Sequence, residues 1–153
     1  MKHLIIVLAF IIAFPAFAQS KKLKPIQDPS NLLESVVGVR NLSDDANQLS
    51  LRIFETAMGD PAMNGDELLL VIAPTNPDRE SFTWDTGINI RGIKRVKLDM
   101  THPKQPQIII KTIEDVLIYP GEIVGKDYTY TITYSPSPQG GVEDTIEVSR
   151  TRD

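Results

Sequence analysis

A chain of 153 residues with no cysteine and two histidines has neither a disulfide framework nor thiolate chemistry to draw on. Its length is that of a single domain able to bury a workable core unaided. A formal net charge of −4 removes the electrostatic case for binding nucleic acid.

The chain opens on Met1-Lys2, a small positive head, followed by an apolar run from Leu4 to Ala18. That run is interrupted by Pro15 and falls short of the roughly 20 residues a membrane-crossing helix needs. It ends Ala16-Phe17-Ala18, with small residues three and one before a cut. This is the layout of a secretory signal peptide over residues 1–18, cleaved after Ala18. An uncleaved anchor is the competing reading, and Pro15 with the small-residue pair opposes it. Cleavage removes one lysine and no acid, taking the net charge from −4 to −5. No later stretch is long and apolar enough to cross a bilayer, so the expected location is periplasmic or secreted.

Gln19 to Asn31, QSKKLKPIQDPSN, is polar with two prolines and reads as a flexible arm. A single β domain is expected over 32–153. SVVGVR is a short β-branched run, and NLSDDAN has the composition of a turn. QLSLRIF alternates, with Leu49, Leu51 and Ile53 on one side, the period of a half-buried strand. MGDPAMNGDE reads as a loop. LLLVIAP is a continuous apolar run and predicts a central strand buried on both faces. SFTW and INIRGIKRVKLDM follow. Gly92 and Lys94 interrupt the apolar parity of the second, which predicts a bulge or bend there. IIIKTI and DVLIY read as two short strands, PGEIVGKD as a turn, and YTYTITY as the cleanest alternation in the chain. SPSPQGG then turns into DTIEVSR. Eight or nine short strands separated by turn signals predict an all-β, antiparallel two-sheet sandwich. A small up-and-down barrel carrying a ligand is the alternative.

The segment GKDYTYTITYSPSPQGGVEDTIEVSR resembles the closing hairpin of immunoglobulin-like domains, including modules of the polycystic-kidney-disease and fibronectin types. VVGVRNLSDDANQLSLRIFE resembles the early strand–turn–strand of the amino-terminal domain of periplasmic pilus chaperones, and LLLVIAPTNP follows as a buried run and proline-bearing link does there. The resemblance implies an immunoglobulin-like sandwich. The chain is much shorter than a two-domain pilus chaperone. The basic residues with which those chaperones grip a subunit's carboxyl end have no assigned position here, so no site is carried over.

Catalytic motifs are absent from the sequence. His102 is the one histidine after the leader and sits in a proline-rich connection, and no serine occupies a Gly-x-Ser-x-Gly elbow. GEIVGKD has three residues between its glycines and an aspartate after the lysine, so it cannot be a phosphate loop. DPAMNGDE places Asp60, Asn64 and Gly65 in a calcium-loop frame. Ala62 and Val71 then stand where oxygen ligands are required. The expectation is a protein that is not an enzyme, with no cofactor and no metal.

Surface chemistry remains. Tyr128, Tyr130 and Tyr134 form either a core stripe or an exposed platform. Trp84 either plugs the core or anchors an interface. Arg91, Lys94, Arg95 and Lys97 crowd four cations into seven residues of an acidic chain. They either guard a sheet edge or receive an acidic partner. The favoured function is binding another envelope or secreted protein as an adaptor, assembly factor or chaperone-like module, through Arg91, Lys94, Arg95, Lys97 and Trp84. A secreted inhibitor or immunity protein is the alternative.

Overall fold

The computed structural model describes residues 19–58 and 63–153. The leader, and with it the signal-peptide reading, lies outside the described residues. The elements in chain order are β1 (Gln19–Leu23), the short helix α1 (Ser30–Leu33), β2 (Val36–Asp44), β3 (Leu49–Thr56), β4 (Asp66–Pro74), β5 (Phe82–Ile90), β6 (Gly92–Asp99), β7 (Gln107–Ile118), β8 (Glu122–Thr133) and β9 (Ile146–Arg152).

Every strand pair is antiparallel. One sheet has the order β2-β3-β4-β5 and the other β1-β9-β8-β7-β6. Each is a sequential meander, and β1 returns beside β9. The chain crosses between the sheets from β1 to β2 and again at Arg91, the one residue between β5 and β6, whose N–H donates to the Ile113 carbonyl of β7 at 2.9 Å. The two sheets do not close into one barrel, which removes the barrel alternative and leaves the two-sheet sandwich.

Alternation builds the core. Leu49, Leu51 and Ile53 of β3 point inward, as do Leu68, Leu70 and Ile72 of β4. Trp84, Ile88 and Ile90 of β5 join Ile108, Ile110, Ile132 and Tyr134 from the facing sheet in one buried cluster. Leu69 has the opposite parity to its neighbours and is also fully buried, so β4 is covered on both faces at that point. That is what its unbroken apolar run implied. The β4–β5 ladder slips between Leu68 and Leu69. Gly87 absorbs the slip at φ +64°, a conformation that excludes most side chains, and its N–H donates to Asp85 Oδ1 at 2.8 Å.

Several boundaries differ from the sequence expectation. Gln19–Leu23 is not a flexible arm but an edge strand paired with Ile146–Arg150. An edge strand leaves most of its side chains in water, so one apolar residue, Leu23, suffices to seat it against the core. Lys24 Nζ secures the exit with a 2.7 Å contact to Asp144 Oδ2. Asn41–Asp44 is not a turn but the second half of β2, paired with Leu49–Arg52. The turn is confined to 45–48, and Gln48 takes φ 55°. Its anchor is the buried Asp44 carboxylate, which accepts from Asn47 N at 3.1 Å, Asn47 Nδ2 at 2.8 Å and the Tyr134 hydroxyl at 2.8 Å. IIIKTI and DVLIY are one twelve-residue strand, β7. PGEIVGKD is mostly strand as well. The turn there is Tyr119-Pro120-Gly121, with a cis Tyr119–Pro120 bond and Gly121 at φ +128°. The bulge expected near Lys94 is present, as a register slip between Ile93 and Arg95.

Candidate interaction surface

The basic segment becomes β6, an edge strand with β7 on one side and, among the described residues, no strand on the other. Its four cations do not act together. Arg91 sits at the corner and reaches Asp115 Oδ1 at 3.3 Å. Lys94 lies in the bulge and is clamped on Asp127, at 2.5 and 2.6 Å to the two carboxylate oxygens. Both are paired with carboxylates of other strands. Arg95 and Lys97 share the outward parity of the regular part of β6 and are exposed. Lys97 is 3.7 Å from Asp99 Oδ2, and Arg95 has no ion-pair partner among the described residues.

Register adds what the sequence could not. Arg95 lies opposite Lys111, which lies opposite Thr129, which lies opposite Thr151. Lys97 lies opposite Ile109, then Thr131, then Ser149. The outer face of this sheet is therefore a hydroxyl-rich plane with cations gathered at the β6 margin. Arg95, Lys97, Ile109 and Lys111 line a shallow depression of about 200 Å³. Asp153 has settled on the same row. Its carboxylate takes Lys111 Nζ at 3.1 Å and the Thr129 hydroxyl at 2.6 Å, and its own N–H donates to the Asp127 carbonyl at 3.3 Å. The Thr129 hydrogen bond, then Lys111, holds the Asp153 carboxyl below its ordinary value. Lys111 and Asp153 escaped sequence reasoning. A lone lysine inside IIIKTI reveals nothing about which residue faces it across a strand pair.

On its inner side β6 faces β2, the edge strand of the other sheet. A groove of about 450 Å³ runs between them. Val39, Arg40, Asn41 and Leu42 line it from β2, and Ile93, Lys94, Arg95 and Val96 from β6. Arg40 is turned to Glu55, Nε to Oε1 at 3.2 Å. Val39 is 44% exposed, while Leu42, Ile93 and Val96 pack against the core margin. Two edge strands, each without a further strand partner among the described residues, thus border one partly apolar groove.

The other candidate residues fall elsewhere. Trp84 is completely buried and its Nε1 donates to the Asp144 carbonyl at 3.3 Å, so it is the core plug and not a surface anchor. The tyrosine stripe faces inward, with Tyr130 and Tyr134 buried. His102 is exposed on an open cleft of about 1010 Å³ at the opposite end of β6, bordered by Asn47, Ser135, Ser137 and Glu143. Residues 59–62 of the acidic loop lie outside the described residues. Asn64, from the same loop, is tied to the Asp115 backbone, donating to its carbonyl at 3.2 Å and accepting from its N–H at 2.8 Å. Among the described residues no group of three or more His, Asp or Glu is placed to hold a metal ion, and no helix is long and apolar enough to cross a membrane. Comparisons with protein-family models, with curated proteins and with solved structures found no match to this chain.

Proposed function

We propose that this is an exported, non-catalytic protein of the periplasm or cell exterior that binds another protein by receiving an extended, acidic segment along the free edge of β6. The observation that carries the reading is the pairing, on one strand, of an open backbone edge with two exposed cations in an otherwise acidic molecule. An open edge supplies main-chain hydrogen bonds to any extended peptide. Flanking charge decides which peptide is steered there. Natural edges are commonly blunted by bulges and lysines. Here the bulge spans only Ile93–Arg95, and the ladder from Arg95 to Asp99 is regular. The export half of the reading rests on the leader's layout. What the fold shares with the immunoglobulin-like resemblance is two packed antiparallel sheets. Their order, two sequential meanders, differs from the interleaved order of immunoglobulin domains, so no site is borrowed from that family. An inhibitor or immunity role would use the same edge, with an enzyme as the partner.

The test is hydrogen exchange on the complex formed in envelope extract. The expected result is slowed exchange at the β6 amides, and about tenfold weaker partner recovery by the Arg95→Glu/Lys97→Glu double variant, the equivalent of about 1.4 kcal/mol from two rim charges. Both side chains are in solvent, so the variant should keep its melting temperature. If the cations serve only to keep sheets apart, the variant, still charged at both positions, recovers the partner as well as the wild type does. That outcome, or protection confined to other strands, removes the reading.

A further inference from the structure

Resting on that reading, we infer that β6 selects its partner by an acidic–apolar–acidic tripeptide, two carboxylates flanking one hydrophobic residue. A strand added beside β6 sets its side chains directly opposite those of β6, at about 5 Å between β-carbons. Residues two apart share a face. On β6 the consecutive residues Arg95, Val96 and Lys97 alternate out, in, out, with Val96 half-buried at the core margin. An incoming segment therefore meets a cation, then the apolar lip of the groove beside Leu42, then a second cation. Acids at the first and third positions complement Arg95 and Lys97. An apolar middle residue closes over Val96 and Leu42. Shifting this pattern by one residue would press a carboxylate into the groove and leave Arg95 unanswered and Lys97 with only its own Asp99.

The molecule already shows that this cationic margin accepts a carboxylate. Asp153 sits on the Arg95–Lys111–Thr129 rung through Lys111 and Thr129. Lys111 and Arg95 are cross-strand neighbours of like charge, a destabilising arrangement that one carboxylate only half relieves. Arg95 itself has no carboxylate partner among the described residues. Asp153 is thus both a template for the ligand group and a nearby negative charge that weakens the seat for it.

The experiment is a titration of the intact protein, followed by amide chemical shifts, with short synthetic peptides centred on Glu-Val-Glu, Val-Glu-Val and Lys-Val-Lys. The expected result is shifts along Arg95–Asp99 with Glu-Val-Glu, and affinity at least about fivefold lower for the other two. Asp153→Asn should bind Glu-Val-Glu about two- to fivefold more tightly, the range of an exposed ion pair. Equal binding of the three peptides, shifts confined to the opposite face, or no binding overturns the inference. If β6 is protected by the natural partner while Glu-Val-Glu shows no preference, the tripeptide code fails alone. If β6 is unprotected in the partner complex, edge binding itself fails.

Discussion

Trp84→Ala is expected to destabilise the domain by about 3–5 kcal/mol, the usual cost of emptying a buried aromatic site. A domain of this size has stability on the order of 10 kcal/mol, so the loss would be a large share of the total. Trp84 is fully enclosed on the inner face of β5, directly across the ladder from Leu70, with the Phe82 ring 5.9 Å away at 50°. Its Nε1 bond to the Asp144 carbonyl ties β5 to the segment leading into β9, and so holds one sheet to the other. Alanine leaves a cavity between the sheets and an unpaired carbonyl at its rim. Trp84→Phe refills most of the volume and should recover more than half of the loss. Urea denaturation with unchanged slope is the measurement. A loss below about 1 kcal/mol would mean that the ring is not enclosed, and would return Trp84 to the role of a surface anchor.

Periodicity made the core legible. Leu49-x-Leu51-x-Ile53 and the run ending in Ile72 carry their own burial pattern, because a strand's two faces are fixed by its pleat. The bulge at Lys94 was legible for the same reason, since parity failed there. What escaped the sequence lies wherever pairing, not parity, decides. Gln19–Leu23 has nothing apolar to show beyond Leu23, and becomes a strand only because the backbone edge of β9 is waiting for it. Asn41–Asp44 has turn composition, but its polar side chains cost nothing on an edge strand and Asp44 is paid in hydrogen bonds.

The candidate surface divides in the same way. Arg91, Lys94, Arg95 and Lys97 were visible as a cluster, but their distribution was not. A bulge moves Lys94 out of step with Arg95, so one spends its charge on Asp127 and the other is left to solvent. That separation needs the register of three strands. The proposed strand addition at β6 would leave little trace in residue composition. Backbone groups, which every residue carries, do most of the work in strand addition.

Arg150→Met is expected to cost about 3 kcal/mol near pH 7 and much less in mild acid. Arg150 projects from β9 and stacks its guanidinium over Tyr128, 3.8 Å from the ring centroid, with Tyr130 at 5.7 Å. It donates to the Glu114 carboxylate, which is buried and also takes the Thr112 hydroxyl at 3.3 Å. Burial pushes the Glu114 carboxyl up from 4.5, while the Tyr130 hydrogen bond, the Arg150 charge and Thr112 pull it down, and burial wins. A carboxyl raised in the folded state holds its proton more tightly there than in the unfolded chain. Its contribution is therefore most favourable below about pH 4.5 and is lost as pH rises through the folded value. Removing Arg150 removes one of the opposing pulls, raises that value further and enlarges the loss. Arg150 keeps 43% of its side chain in water, which holds the figure to the low end for a broken buried pair. The difference in stability between Arg150→Met and wild type should then open as pH rises through the raised Glu114 value of the wild type and grow toward neutral pH. Adding Glu114→Gln to Arg150→Met deletes the titrating group and should flatten that slope. A slope that survives in the double variant would place the charge that matters somewhere other than Glu114.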